Sequence, residues 1–378
     1  MTSRDTFPID TLLPEIGRSL AQYPRLVLEA PPGAGKTTQV PLALLDAPWL
    51  AGRKIVMLEP RRVAARAAAQ FMAKQLGEAV GETVGYRIRF ENRVSAKTRI
   101  EVVTEGILTR MLQDDPMLGE GGPDNIGALL FDEFHERHLA GDLGLALALD
   151  VQSGLRDDLR IVVMSATLDG ERLAALLDAP RLSSAGRSHP VKIAHFAARR
   201  DEAIEQQTKR AVEHALAEHP GDLLVFLPGQ REIGKVQALL TQTLDASRIE
   251  TLALHGELPV EQQSRVLQPA SDGRRRVVLA TNVAESSVTL PGVRVVIDSG
   301  LAREPRYDPN SGFSRLDVVS IAQSSADQRA GRAGRVADGW AYRLWPESQR
   351  LEPQRRPEIA QAELASLALE LAAWGSDA

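Results

Sequence analysis

The stretch RLVLEAPPGAGKTT, residues 25–38, decides the fold. A run that is apolar almost throughout, RLVLEA (25–30), is expected as an inner strand of a parallel sheet, because a strand covered on both faces has no solvent side to mark with polar residues. It runs through a Gly-punctuated turn into a helix. The turn fits G-x-x-x-x-G-K-[ST] with Ala30 in the place of the first Gly. Gly33 and Gly35 leave no Cβ in the way of backbone N–H groups converging on a phosphate, and the helix behind them offers its N-terminal dipole. Gly33, Ala34, Gly35, Lys36, Thr37 and Thr38 are therefore the expected cradle for a nucleoside triphosphate, with Lys36 bridging the β and γ phosphates and Thr37 holding Mg²⁺. The alternative is an ordinary Gly-rich turn; seven consecutive matching positions between a strand and a helix speak against it.

Outward from this point, similar runs recur: KIVMLEP (54–60), RIEVVTE (99–105), ALLFDEF (128–134) and RIVVMSA (160–166), separated by Ala-rich or amphipathic stretches such as RRVAARAAAQFMAKQL. Alternating strands and helices imply right-handed crossovers with helices on both faces of one sheet. Ser, Gly and Pro cluster at 182–196 and read as a connector. A second series follows with DLLVFLP (222–228), RIETLALH (248–255), RRVVLAT (275–281), VRVVIDSG (293–300) and GWAYRLW (339–345), again a doubly wound sheet. DPNSG within 303–322 is a turn signal flanked by two extended runs and predicts a protruding β-hairpin. The segment from Pro357 reads as an amphipathic helix with no core of its own.

Two further patterns carry chemistry. ALLF leads directly into DEFHER, placing Asp132 and Glu133 at the carboxyl end of a strand, where such sheets hold ligands. Asp132 is the expected Mg²⁺ holder and Glu133 the base that orients water, also touching the ion through water. Taken alone, DEFHER reads as the acidic first turn of a solvated helix; paired with the phosphate loop it becomes the second half of a triphosphate site. QRAGRAGR (328–335) spaces three arginines by three, which puts guanidiniums on one side of a helix. Such a row can be a solvated face, a nucleic-acid contact or an arginine finger; in the last case Arg332 and Arg335 reach the γ-phosphate.

Eight motifs in this order, APPGAGKTT, EPRRVAA (59–65), TEGIL (104–108), DEFH (132–135), SAT (165–167), FLPG (226–229), ATNVAESSVTLPG (280–292) and QRAGRAGR, make the chain resemble the DEAH/RHA branch of superfamily 2 helicases, most closely its bacterial HrpB-type members. The resemblance covers nearly the whole chain. It implies an α/β fold of two tandem RecA-like doubly wound parallel-sheet domains, 1–183 and 184–350, with a β-hairpin insertion in the second and the start of a winged-helix domain at 351–378. It implies ATP between the two domains and single-stranded RNA or DNA along one side. By the family's pattern His135 links the acidic motif to Gln328, Ser165 and Thr167 couple hydrolysis to domain movement, and Ser287 senses the γ-phosphate. Arg61, Arg62, Thr104 and Thr281 would follow the sugar-phosphate backbone, and the hairpin would part the duplex. Phe134 stands where the family has Ala, and Pro291 where relatives often carry Asp. Phe71 and Leu267 stand where the base is often held between Arg and Phe. Stacking on Phe71 alone implies ATP with loose preference among nucleoside triphosphates.

Composition bounds these expectations. At 378 residues the chain suits two or three domains, and the absence of cysteine excludes disulfide frameworks, thiolate metal sites and Cys nucleophiles. No uninterrupted apolar run spans a membrane and no signal pattern opens the chain, so a soluble, cytoplasmic protein acting as a monomer is expected. The net charge of −5 and only 16 aromatic residues predict a grip on nucleic acid through phosphates at local basic patches. The leading function is an ATP-dependent RNA helicase moving 3′ to 5′. The alternative is an ATP-switched RNA clamp without unwinding, which would keep its action in a Glu133→Gln variant that binds ATP but does not cleave it. A P-loop enzyme for a small substrate leaves the arginine pair, the hairpin and the second domain unexplained.

Overall fold

Alternation of side chains along the first strand, β1 (Arg25–Glu29), sends Leu26 and Leu28 into one apolar layer and Val27 into another, so this strand must be covered on both faces. The computed structural model describes residues 7–166, 170–184, 189–270, 273–285, 290–308 and 310–376. It divides into two compact units, Met1–Gly186 with Arg356–Ala378, and Arg187–Arg355.

In the first unit the strands are β1, β2 (Lys54–Leu58), β3 (Val84–Ile88), β4 (Glu91–Arg93), β5 (Ile100–Val103), β6 (Ile126–Phe131), β7 (Arg160–Ser165) and β8 (Arg181–Ser183), in the order β4-β3-β5-β2-β6-β7-β1-β8. All pairings are parallel except β3 with β4. Helices α1 (Leu13–Gln22), α2 (Lys36–Leu44), α3 (Arg62–Leu76), α4 (Glu105–Asp114), α5 (Leu139–Gly154) and α6 (Gly170–Leu177) complete the alternation. The expected strands all form. β3, β4 and β8 were not expected: Gly85 and Arg87 interrupt the apolar run of β3, and β8 lies on the sheet's edge within a span that reads as the approach to a connector.

The second unit contains β9 (Val191–His195), α7 (Ile204–Glu218), β10 (Asp222–Phe226), α8 (Gln230–Thr241), β11 (Ile249–Leu254), α9 (Val260–Leu267), β12 (Arg275–Ala280), β13 (Val293–Asp298) and β16 (Gly339–Arg343). These strands form a wholly parallel sheet in the order β11-β12-β10-β13-β16-β9. Between β13 and β16, β14 (Leu301–Asp308) and β15 (Phe313–Ser320) form the expected antiparallel hairpin, paired from Leu301 with Ser320 to Asp308 with Phe313. Helix α10 (Gln323–Gly331) follows it. The stretch read as a connector therefore holds the edge strand β9, which is half exposed and lacks the continuous apolar run of an inner strand.

The terminal segment packs on the first unit. Glu358 accepts a hydrogen bond from Leu139 N at the start of α5 (2.8 Å) and donates its own N–H to Arg137 O (3.0 Å). Helix α11 (Ala365–Trp374) lays Leu367, Leu371 and Trp374 against the core between α4 and α5, and Trp374 Nε1 donates to Asp150 at 2.8 Å. No helix among the described residues is long and apolar enough to cross a membrane.

Candidate active site

Strand order brings the sequence motifs together. β5, β2, β6, β7 and β1 lie side by side and parallel, so TEGIL, EPRR, DEFH, SAT and the phosphate loop all emerge from the same, carboxyl edge of the first sheet. In the loop after β1, Gly33 and Gly35 take left-handed φ values of 86° and 92°. A Cβ on Gly35 would also lie 2.8 Å from Cβ of Phe7, so both space and backbone demand glycine there. Phe7 in turn meets Phe71 of α3 edge to face, 6.2 Å between centroids, which sets Phe71 beside the loop.

Lys36, the first residue of α2, is buried at 3% exposure. Its Nζ lies 2.7 Å from Glu133 Oε1 and 3.6 Å from Asp132 Oδ1. Burial alone would depress the ammonium, but Asp132, Glu133 and the buried Glu59 outweigh it and hold Lys36 well above its ordinary value. Asp132 is pushed up, chiefly by burial, against the pull of Lys36. Burial acts on Glu133 in the same sense, yet Lys36 and His135 prevail and hold it below its ordinary value. Two adjacent carboxylates are thus driven in opposite directions. The Thr37 hydroxyl donates to Asp132 Oδ2, and Asp132 Oδ1 accepts from Glu133 N at 2.8 Å. Glu133 sits at φ 51°, a strained conformation for a non-glycine residue that aims its carboxylate back at Lys36.

His135 follows in a short 3-10 turn. Its Nδ1 lies 3.2 Å from Ala166 N, and its Nε2 faces Glu133 Oε2 at 3.4 Å. This places His135 between the acidic motif and the SAT segment. Ser165 ends β7, buried, with its carbonyl accepting from Ala30 N at 3.0 Å. Thr167 lies outside the described residues.

Three of the residues expected on nucleic acid, Arg61, Arg62 and Thr104, follow the neighbouring strands β2 and β5. Arg61 caps α3 and its guanidinium meets Glu136 at 2.9 Å, while Arg62 opens the helix and is exposed. Thr104 caps α4 at the end of β5. His138 joins them, with Nδ1 3.2 Å from Glu105 and Nε2 3.2 Å from Glu136. Sequence reasoning missed Glu59, Glu136 and His138; the adjacency of the last two to DEFH was the available signal.

In the second unit Thr281 caps the short turn after β12, and Gln328 lies on α10, half buried. Three arginines in QRAGRAGR do not share one helix face: α10 ends at Gly331 and a 3-10 turn carries Arg332–Gly334. Arg329 is the buried anchor. It donates to Glu285 and Asp298, each at 2.8 Å, and lies over the Phe226 ring at 4.7 Å. Despite burial, those carboxylates hold it above the ordinary arginine value. Arg332, also buried, donates through Nε to the Glu285 carbonyl at 3.0 Å. Arg335, half buried, caps that turn. Glu285 thus joins the ATNVAESS and QRAGRAGR motifs, a role invisible without the fold. Ser287 lies outside the described residues. Leu267 packs on the core of this unit, and Pro291 offers its carbonyl to Arg276.

Two family models match the chain: DEAD/DEAH box helicase over residues 15–176 and helicase conserved C-terminal domain over residues 206–337. In sequence it is similar to the ATP-dependent RNA helicase HrpB of Escherichia coli strain K12, 45% identical over 373 residues that cover 98% of this chain and 45% of that protein. It is also similar to an ATP-dependent RNA helicase HrpA homolog of Haemophilus influenzae, 36% identical over 379 residues, 99% of this chain and 28% of that protein. The crystal structure of the E. coli DEAH/RHA helicase HrpB superimposes with a TM-score of 0.92 at 44% identity, over 99% of this chain and 47% of that one. The chain spans about half, or less, of the length of these curated relatives.

Proposed function

Because the chain belongs to the DEAD/DEAH box helicases, in the DEAH/RHA branch, we propose that it hydrolyses ATP to move 3′ to 5′ along single-stranded RNA and separate duplexes. The observation that carries this reading is the buried ammonium of Lys36 held between Asp132 and Glu133 beneath the phosphate loop. A triphosphate tail brings more negative charge to Lys36 than Glu133 supplies, so binding would draw the lysine away. Glu133, ionised beforehand, would gain basicity on losing that partner and orient the attacking water. His135 would restrain the carboxylate through Nε2.

Thr37 and Asp132 converge on one point through oxygen atoms alone, a donor set that fits Mg²⁺, with Glu133 reaching the ion through water. When bound, the ion would neutralise charge on the phosphate oxygens. Gly33, Ala34, Gly35 and Thr38 would complete the cradle, and Phe71 would stack on the base. We assign Arg332 and Arg335 to the γ-phosphate, Gln328 to the water and His135, and Ser287 to sensing the phosphate. Ser165 and Thr167 are assigned to coupling, and Arg61, Arg62, Thr104 and Thr281 to the strand's backbone.

The test is ATP turnover with and without defined RNA and DNA oligonucleotides, for the wild type and Arg332→Ala. We expect stimulation by single strands and a loss on the order of 10³ in kcat for the variant. Turnover indifferent to both polymers removes the motor reading.

A further inference from the structure

One buried carboxylate near the phosphate loop has no part in the chemistry above. Glu29 ends β1, immediately before the loop, and is 5% exposed. Its Oε1 accepts from Gly170 N at 2.6 Å, and its Oε2 meets Arg181 Nε and Nη2 at 2.8 and 2.6 Å. Gly170 is the first residue of α6 and follows the SAT segment; Arg181 opens β8, the last strand before the chain passes to the second unit. Arg181 also reaches Glu171 Oε1 at 3.1 Å, which ties β8 directly to α6.

The approach is close: a Cβ on Gly170 would fall 2.0 Å from Glu29 Oε1, so a larger residue there would displace the carboxylate from its present partners. The other end of the SAT segment is held by the neighbouring residue of β1, since Ala30 N donates to Ser165 O. Glu29 and Ala30 therefore hold the two ends of the 165–170 segment, while His135 holds Ala166 between them. A carboxylate at the first N–H of α6 also complements that helix's dipole.

We infer that Glu29 is a positioning residue that transmits the state of the phosphate loop to α6 and β8, the route by which the chain leaves the first unit. This deepens the ATPase reading and rests on it. When the loop closes on a triphosphate, a displacement at the end of β1 reaches Gly170 and Arg181 through one rigid, buried carboxylate. Without it α6 and β8 lose their shared tie to the end of β1.

Two measurements test this on the full chain with Glu29→Ala and Glu29→Gln. The first is amide hydrogen exchange over residues 170–184 with and without a non-hydrolysable ATP analogue. The wild type should change its protection on binding, Glu29→Ala should lose that response, and Glu29→Gln should keep most of it, because its carbonyl oxygen still accepts from Gly170. The second is nucleic-acid-stimulated turnover: kcat should fall about tenfold in Glu29→Ala with the KM for ATP within about twofold, and recover in Glu29→Gln. An alanine variant with wild-type exchange response and wild-type stimulated kcat overturns the inference. So does a loss of ATP binding that the glutamine variant does not restore. If nucleic acid fails to stimulate the wild type, the motor reading falls, and the exchange experiment, which needs only nucleotide, still decides the role of Glu29.

Discussion

A lysine as buried as Lys36 keeps its charge because carboxylates surround it, Asp132 and Glu133 in ion pairs with it and Glu59 nearby. Removing one partner of a buried ion pair costs about 3–5 kcal/mol. Lys36→Met should therefore destabilise the first unit by about that amount near neutral pH, as well as abolish turnover. The sign with pH follows from what is left. Asp132 and Glu133, stripped of their cation and still buried, would have folded-state pKa values above their unfolded ones, so the penalty is greatest at high pH and is relieved as pH falls and they protonate. Urea denaturation at about pH 8 and about pH 5 measures this; a deficit equal at both would show that the lysine neutralises something else. In the wild type the opposite holds for the base. Glu133 lies below the ordinary glutamate value of 4.5 in the free enzyme, and kcat/KM reports the free enzyme. The acid limb that belongs to Glu133 should then lie below that value; a limb above it belongs to Asp132, which burial pushes the other way, or to a different base, and Asp132→Asn separates the two.

Among the elements, the hairpin of β14 and β15 presents Phe313, Leu316 and Val318 to solvent. Apolar side chains on an exposed two-stranded ribbon add little to stability, so their use lies in what they touch. Phe313→Ser with Leu316→Ser should leave the melting temperature within about two degrees and ATP turnover within about twofold, while strand displacement falls at least tenfold. Equal losses in turnover and displacement would remove the hairpin from duplex separation. The hairpin was legible because DPNSG is a local signal. β8 and β9 were not, because the strands they pair with, β1 and β16, lie in distant parts of the chain, and β3 was missed because Gly85 breaks its apolar run where β4 passes, with Arg93 O only 2.3 Å from where a Cβ would stand. The tail reads locally as an amphipathic helix, but nothing local says that Glu358 will cap α5 or that Trp374 will find Asp150.

For the whole molecule, a net charge of −5 means that any grip on a polyanion comes from placed arginines and not from an overall field. With Arg62 exposed and Arg61 paired to Glu136, binding should be phosphate-dominated. Raising monovalent salt from about 50 to about 200 mM should then weaken single-strand affinity about tenfold or more, with little dependence on base sequence. Fluorescence anisotropy on two unrelated oligonucleotides measures both, and a flat salt response would mean that stacking carries the binding.

The amino-acid sequence by itself determined which strands form the inner sheets, the phosphate loop and the acidic motif, because apolar runs, left-handed glycines and turn residues act over a few neighbours. Only the tertiary structure decided that Lys36 faces Glu133, that Arg329 is buried between Glu285 and Asp298 while Arg332 takes the Glu285 carbonyl, and that Glu29 gathers β1, α6 and β8. Each of these joins residues 31 to 152 positions apart, and their partnership follows from strand order and burial, quantities that exist once the sheet has closed over its core.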